Sequence, residues 1–553
     1  MIPCLKKRLA FKIIDKLAMS LMGCLLFSTR QAIANPDTIS PEFSTLPPSP
    51  KNVSVPGKIT LSRFEIINNN VITEEEIDRV LEPYLFRPLS FVELLEVQQV
   101  ITKLYVDRGY LTTGAYIPPQ TITNRTVRVE IIEGKIAEIE IVGLKKLDPE
   151  YIRSRVAIAS EPPLNQEKLL NSLQLLQLNP LIENISAELS KGINPGESFL
   201  KLKIAEADSL DVELGIDNQS TPSIGSVRRR VSVYEGNFAG FGDSFGVSYI
   251  QTDGSKSLSK LQYQVPLGAR GSSLGLSYSY NDSEIIIEPF QNLDLDSENR
   301  SYQVTFIQSL FQKPTQDIFL GFSFTHQNTQ LSLMDSSFPE LNRGLDSDGR
   351  TIISTVRLIQ EYNNRGQSHV FSARSQLAIG IEAFGSTINN NDLPDSKFLI
   401  WRGQLQYLKA ISPKTKILLR GEVQLSDSPL FSQEQFNASG SQNVRGYNEG
   451  RVAGDNGLFF SSELQNTILQ IPQWDLSLDI GSFFDFGRVG NSDDFPLETS
   501  NTISSLGILA QLSIKDNFVA RLDWGLPLID DKLPQGDSLQ DRGIYFSLNF
   551  KPF

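Results

Sequence analysis

Two small α+β domains followed by an all-β, antiparallel transmembrane β-barrel of about 16 strands is the fold class this sequence predicts. Three observations point to it. The order strand, helix, helix, strand, strand occurs twice in the first part of the chain. From Ser209 onward no long helical period remains, and segments of about ten residues alternate apolar and polar between Gly, Asn, Asp and Ser clusters. The N-terminus reads as a secretory leader, and no later apolar run approaches the ~20 residues of a membrane helix. A secreted chain without such a helix either is soluble or spans the membrane as a closed barrel.

The bulk numbers narrow the function. The chain has 553 residues, 40% of them apolar, so it folds. A formal net charge of −13 argues against a nucleic-acid partner, because phosphate binding needs a basic surface. The two cysteines, Cys4 and Cys24, both precede the expected cleavage site. A mature chain would then hold no disulfide, no Cys nucleophile and no Cys-ligated zinc. With only His326 and His369, a multi-His metal site is excluded too, and neither metal nor cofactor is expected.

The leader, residues 1–34, starts basic with Lys6, Lys7, Arg8, Lys12 and Lys16. It continues apolar from Leu17 to Phe27 and ends on Ala32-Ile33-Ala34, small at the positions a signal peptidase reads. Leu21-Met22-Gly23-Cys24 loosely resembles a lipidation box, but apolar Leu25-Leu26-Phe27 runs on past the cysteine. Residues 35–57, rich in Pro and Ser, form a partly extended linker.

The first α+β domain is assigned to 58–135. Thr73 with Glu76 makes a capping box for a helix running to about Leu85. Ser90 with Glu93 makes a second, followed by the stripe Leu94, Val97, Ile101 and Leu104, and Gly109 ends that helix. Strands follow at Thr112–Ile117 and Thr126–Ile132. The second domain, 136–206, repeats the order: a strand at Ile136–Val142, helices at Asp148–Ala157 and Asn165–Leu178, strands at Ile185–Leu189 and Phe199–Ile204. About 70 residues suffice for each two-layer domain.

The barrel is assigned to 209–553. Trp401, Gly403, Leu405 and Tyr407 share one face, and Arg402, Gln404 and Gln406 the other. Leu419, Gly421, Val423 and Leu425 oppose Arg420, Glu422 and Gln424, while Phe518, Ala520, Leu522 and Trp524 oppose Val519, Arg521 and Asp523. A soluble sandwich also alternates. The leader, the strand length and the aromatic-rich end favour a barrel, with apolar faces in lipid and polar faces in a wet lumen. The last strand turns Phe546, Leu548 and Phe550 outward, whereas Phe553, behind Pro552, is off that parity.

Two patterns suggest chemistry and are better read otherwise. Gly242-Asp243-Ser244-Phe245-Gly246 fits the G-x-S-x-G nucleophile elbow, but a strand rather than a helix follows, so a tight turn is expected and no catalytic residue is assigned. The acidic clusters Asp294, Asp296, Glu298 and Asp346, Asp348 match no full calcium-loop signature and read as solvated loops.

Several local sequences carry a family resemblance. Val444-Arg445-Gly446-Tyr447 matches a VRGY motif, Phe483-Phe484-Asp485-Phe486-Gly487 an FxDxG motif, and Leu214-Gly215-Ile216-Asp217-Asn218 opens the barrel. With the two repeats, which resemble POTRA domains, the layout resembles the transporter of two-partner secretion, TpsB of the ShlB/FhaC/HecB type, over nearly the whole mature chain. The resemblance implies an outer-membrane protein with periplasmic POTRA domains. It exports a large secreted exoprotein, haemolysin- or adhesin-like and unfolded in transit, with or without activating it. It implies that VRGY lies on a long loop folded into the barrel between the eleventh and twelfth strands, with FxDxG on the thirteenth. Its partners would be that exoprotein, outer-membrane lipid and the barrel-assembly machinery, which reads a terminal aromatic, Phe550 or Phe553. The alternatives are an insertase of the same superfamily, which folds other barrels, and a porin, which needs no docking domains.

Strand parity bears on the motif independently. Leu476, Leu478, Ile480 and Phe484 occupy one face, so Phe483 and Asp485 turn to the lumen. An inward carboxylate suits an arginine on an inserted loop; the alternative is two unrelated solvated charges. In a wet lumen a pair between Arg445 and Asp485 is expected to be partly screened.

Overall fold

A computed structural model describes residues 57–288, 290–334, 336–337, 343–389, 393–493, 497, 500–531 and 536–552. The leader, the linker up to residue 56 and Phe553 lie outside the described residues. Two compact units meet in sequence at Ala207 and Asp208.

The N-terminal unit begins with β1 (Ile59–Thr60), β2 (Arg63–Ile67), α1 (Glu74–Leu81), β3 (Pro88–Leu89), α2 (Phe91–Asp107), β4 (Gly114–Tyr116) and β5 (Thr126–Ile132). Its three-stranded sheet has the order β2-β5-β4, with β2 parallel and β4 antiparallel to β5. Phe64, Val127 and Val129 from the sheet pack on Ile77, Val97, Ile101 and Tyr105 from the helices. The helical stripe lands as expected, except that Tyr105 is buried while Leu104 is only partly so.

The Ser90–Glu93 capping box forms in both directions. Donors from Ser90 and Arg87 hold the Glu93 carboxyl down at about 2. The folded value lies below the ordinary one, so this contribution is complete at neutral pH and lost only as pH falls toward 2. The box expected at Thr73 does not form: the Thr73 side chain makes no cap bond. Glu76 pairs instead with Arg108, and three glutamates in the first turn of α1 face the positive end of the helix dipole. The helix accordingly stops at Leu81, and a 3-10 turn through Pro83 completes the expected span. Ser90→Ala should cost about 1 kcal/mol of local stability. In the intact protein, amide exchange in α2 should accelerate about five-fold between pH 6 and 8; unchanged exchange would show that the cap contributes nothing.

The same order follows in β6 (Lys135–Val142), α3 (Pro149–Ala159), α4 (Gln166–Gln177), β7 (Ile182–Lys191) and β8 (Glu197–Glu206). Sheet order is β6-β8-β7, with β6 parallel to β8. Asp148 and Asn165 cap the two helices, and Ile152, Val156, Leu173 and Leu176 meet Leu200 and Leu202 in its core.

The second unit is a closed, 16-stranded antiparallel β-barrel. Its staves are β9 (Leu210–Asp217), β10 (Arg228–Glu235), β11 (Ser244–Gln251), β12 (Ser255–Pro266), β13 (Ser273–Glu284), β14 (Leu295–Lys313) and β15 (Gln316–Leu333). A two-residue strand, β16 (Ser336–Ser337), pairs only with the end of β15. The wall continues through β17 (Arg350–Arg365), β18 (His369–Ile381), β19 (Leu399–Ala410) and β20 (Thr415–Ser426). A small hairpin, β21 (Phe436–Asn437) and β22 (Ala453–Gly454), belongs to the next connection. The wall then closes with β23 (Asn456–Ile471), β24 (Leu476–Gly490), β25 (Thr502–Ile514), β26 (Phe518–Pro527) and β27 (Ile544–Phe550), which pairs with β9.

Closure, through Leu214–Asp217 on Ser547–Phe550, leaves no stave as a free edge, which a bilayer demands. Alternation runs as parity requires. Trp401, Leu405, Leu522, Trp524, Leu548 and Phe550 are exposed on the outside, while Asp523 and Tyr545 are buried within. Gly242–Gly246 spans the end of the β10–β11 connection and the start of β11: Asp243 accepts from the Ala239 amide and Ser244 opens the strand. His326 and His369 lie on β15 and β18, bonded to Ser354 and Asn364 rather than to Ser244. Asp346 and Asp348 pair with Arg350.

Candidate functional site

The connection between the eleventh and twelfth staves, β20 and β23, folds into the barrel. Its base is fixed by buried Asp455, which accepts from the Leu430 amide at 3.1 Å and from the Ser492 amide at 2.9 Å. The hairpin β21–β22 and the Ala438 N–H to Val452 carbonyl bond keep it compact. Phe436, Ala438, Val444, Tyr447 and Val452 bury themselves against Phe459, Val489 and Ile503 of β23, β24 and β25. Leu430 and Phe431 rest on Ile353, Ala378 and Ile400 of β17, β18 and β19. On β17, Arg357 reaches the loop's Glu434 at 2.6 Å.

At the tip, Arg445 is 1% exposed and Asp485, on the thirteenth stave, 0%. Arg445 Nε lies 2.8 Å from Asp485 Oδ2 and Nη2 lies 3.0 Å from Oδ1, the bidentate geometry of a planar fork on a carboxylate. The Arg445 amide adds a 3.2 Å bond to Oδ2. Nη1 donates to Glu463 Oε2 on β23 and to Asp523 Oδ1 on β26, each at 2.9 Å. The guanidinium lies 3.3 Å above the Phe483 ring centroid, a cation–π contact. Arg521 shares both outer carboxylates, and Ser461 donates to Asp485 at 2.7 Å. The pair is therefore dry and part of a network of three carboxylates, where partial screening in a wet lumen was expected. The loop itself supplies the cover that excludes water.

The small residues explain the rest of both motifs. A Cβ at Gly487 would lie 2.9 Å from Val444 Cγ2, so FxDxG ends on glycine where the loop's valine seats. Gly446 takes φ +100° and presses against Gly525 of β26. A Cβ at Gly525 would lie 2.8 Å from the Arg445 carbonyl carbon and the Gly446 nitrogen. Gly507 on β25 leaves the space that the Phe483 ring fills. Tyr447 Oη lies within hydrogen-bond reach of the Ser504 and Ile529 carbonyls, at 2.9 and 2.7 Å. Tyr545 on β27 donates to the Tyr447 carbonyl and accepts from the Gly446 amide.

All four VRGY residues and Phe483, Asp485 and Gly487 thus come together. Phe550 stands apart on the outer face of the last stave, and Phe553 lies outside the described residues. Sequence reasoning missed Glu463, Asp523, Arg521, Tyr545 and Arg357. The signal was present for two of them: Leu464 turns outward beside Glu463, as Leu522 does beside Asp523. Inward carboxylates on three of the four successive staves β23–β26 ask for a cation.

A lipid-facing barrel that seats a folded loop on a buried arginine, behind two α+β units, defines the class: an outer-membrane transporter with POTRA domains in the periplasm. The family model for the haemolysin secretion/activation protein ShlB/FhaC/HecB matches residues 196–508, and that for the ShlB-type POTRA domain matches residues 59–134. The chain belongs to the ShlB/FhaC/HecB family, the outer-membrane transporters of two-partner secretion. It is 22% identical to the heme/hemopexin transporter protein HuxB of Haemophilus influenzae over 87% of this chain and 86% of that one. To the outer membrane transporter CdiB of Escherichia coli it is 22% identical over 77% and 73%. The solved CdiB from Escherichia coli superposes with a TM-score of 0.69 at 20% identity, covering 99% of this chain and 97% of that one. BamA from Haemophilus ducreyi lacking POTRA domains 1–3 gives 0.53 at 15% identity, covering 89% and 100%, and so shares the fold more distantly.

Proposed function

We infer that this chain passes one unfolded exoprotein through its barrel lumen, with the VRGY loop as the element that is anchored at rest and displaced during passage. The observation that supports this most is the loop's seat. A fully buried arginine on three carboxylates gives the tip one defined position, and such a seat is costly to break but replaceable as a unit. HuxB and CdiB are named as transporters, and the reading extends that role to a large secreted partner of this chain. Catalysis is no part of it.

The two α+β units would capture the exoprotein by strand addition. Each three-stranded sheet has outer strands, and outer strands accept a further one. Deleting residues 58–206 should leave a heat-modifiable barrel in the outer membrane that no longer secretes its partner; secretion undiminished by the deletion would remove the docking role. Residues 1–34 are proposed as the export leader. N-terminal sequencing of membrane-extracted protein should begin at Asn35, whereas a lipid-modified Cys24 there would make the protein a lipoprotein. Phe550, Phe553 or both would serve the assembly machinery.

A further inference from the structure

The geometry points to a track for the translocating chain: an uncharged strip of the lumen wall on β11–β15, opposite the loop's anchors, against which an extended polypeptide slides. The inference deepens the reading that cargo crosses the lumen and rests on it. Parity defines the strip. Tyr263, Leu276, Val304 and Phe324 pair in one row across β12–β15, and Leu276 and Val304 are exposed on the lipid side. The adjacent row, Gln262, Ser277, Gln303 and Thr325, therefore faces inward, and Gly246 of β11 pairs with Gln262 to extend it. Thr305 continues it in the next row, where Gly275 is its partner.

This wall differs in kind from the other. The loop's ion pairs and apolar contacts lie on β17–β19, β23–β26 and the β26–β27 connection; Arg357, Glu463, Asp485, Arg521 and Asp523 sit on those staves, and Asp531 and Asp541 in that connection hold Arg451. Arg357 marks the boundary: it holds Glu434 of the loop and donates to Thr325 Oγ1 at 2.9 Å. In the rows of the strip the side chains are hydroxyls, amides or hydrogen; the charges beside them are Lys260 on β12 and, at the boundary, Arg357 on β17.

Chemistry fits such a surface to an unfolded chain rather than to a particular side chain. Extended backbone presents N–H and C=O groups at about 3.3 Å per residue. Hydroxyls and amides exchange water for those groups at little net free energy. Rows that carry no charge of their own bind passing Asp, Glu, Lys or Arg less tightly than the charged wall opposite would. Passage needs contacts weak enough to leave, as conduction does in a channel. On this account cargo and loop share the lumen side by side, and the loop has only to shift.

The test uses the full chain carrying Cys4→Ser and Cys24→Ser, with one added thiol: Ser277→Cys or Thr305→Cys on the strip, or Gln511→Cys on β25 of the loop-bearing wall. The protein is placed in a planar bilayer. The probe is an unstructured Gly-Ser-Asn peptide with a terminal Asp run and one central cysteine activated as its 2-pyridyl disulfide, drawn in by voltage, so that the added thiolate forms the new disulfide by exchange and pyridine-2-thione leaves. Disulfide capture reads as a lasting current block reversed by dithiothreitol. Capture at the strip positions should be an order of magnitude faster than at Gln511. Equal or faster capture at Gln511 overturns the track and leaves the lumen route standing. If a small thiol reagent modifies the strip cysteines and no position captures peptide, the route through the lumen fails, and the track with it.

Discussion

Arg445→Ala should abolish most export while leaving the barrel inserted. Breaking a buried, hydrogen-bonded ion pair by removing one partner costs about 3–5 kcal/mol, roughly two to three and a half orders of magnitude in an equilibrium. Here the loss falls on the seat of the loop and not on the wall, whose backbone ladder runs continuously around the barrel. The loop stays tethered at both ends in the lumen and, without its anchor, samples the space that cargo needs. Secreted partner per assembled transporter should drop at least ten-fold, with heat-modifiability unchanged. Arg445→Lys should rescue poorly. A lysine keeps the charge but cannot bridge Asp485 bidentately while reaching Glu463 and Asp523 on two other staves.

The next largest effect is expected at a residue with no side chain. Gly525→Ala places a methyl 2.8 Å from backbone atoms of Arg445 and Gly446, and backbone yields far less readily than a side-chain end. The tip must lift, which stretches the fork on Asp485 and the Gly446 contact to Tyr545 together. The barrel should still assemble, because Gly525 already lies in a paired stave. Export should fall nearly as far as in Arg445→Ala, and protease cleavage within residues 427–455 should rise. Normal export with a protected loop would show that tip and wall tolerate separation.

Much of this was readable before the structure. Period two set the stave faces, and the same parity turned Asp485 inward. The number of partners on Arg445 was not readable, because the inserted loop carries one guanidinium nitrogen to both Glu463 and Asp523, and no local pattern encodes such contacts between distant segments. Burial of the pair was equally hidden. Water is excluded by Phe436, Val444 and Val452, which look like ordinary loop residues until the loop is seen folded on Phe459 and Val489. The Thr73 cap failed for a similar reason, a long-range partner at Arg108 outcompeting a local bond. Glycines 487, 507 and 525 read as strand weaknesses in sequence and as clearances in three dimensions.

The central claim, that Arg445 and Asp485 act together to seat the loop, is tested most directly by a double-mutant cycle on export. Secreted partner per assembled transporter is measured for the parent chain, Arg445→Ala, Asp485→Ala and the double variant. Glu463 and Asp523 still hold Arg445 when Asp485 is lost, so Asp485→Ala should be the milder single change. The double variant should be little worse than Arg445→Ala alone. A double loss equal to the product of the two single losses would mean that the residues act independently, and would contradict the account.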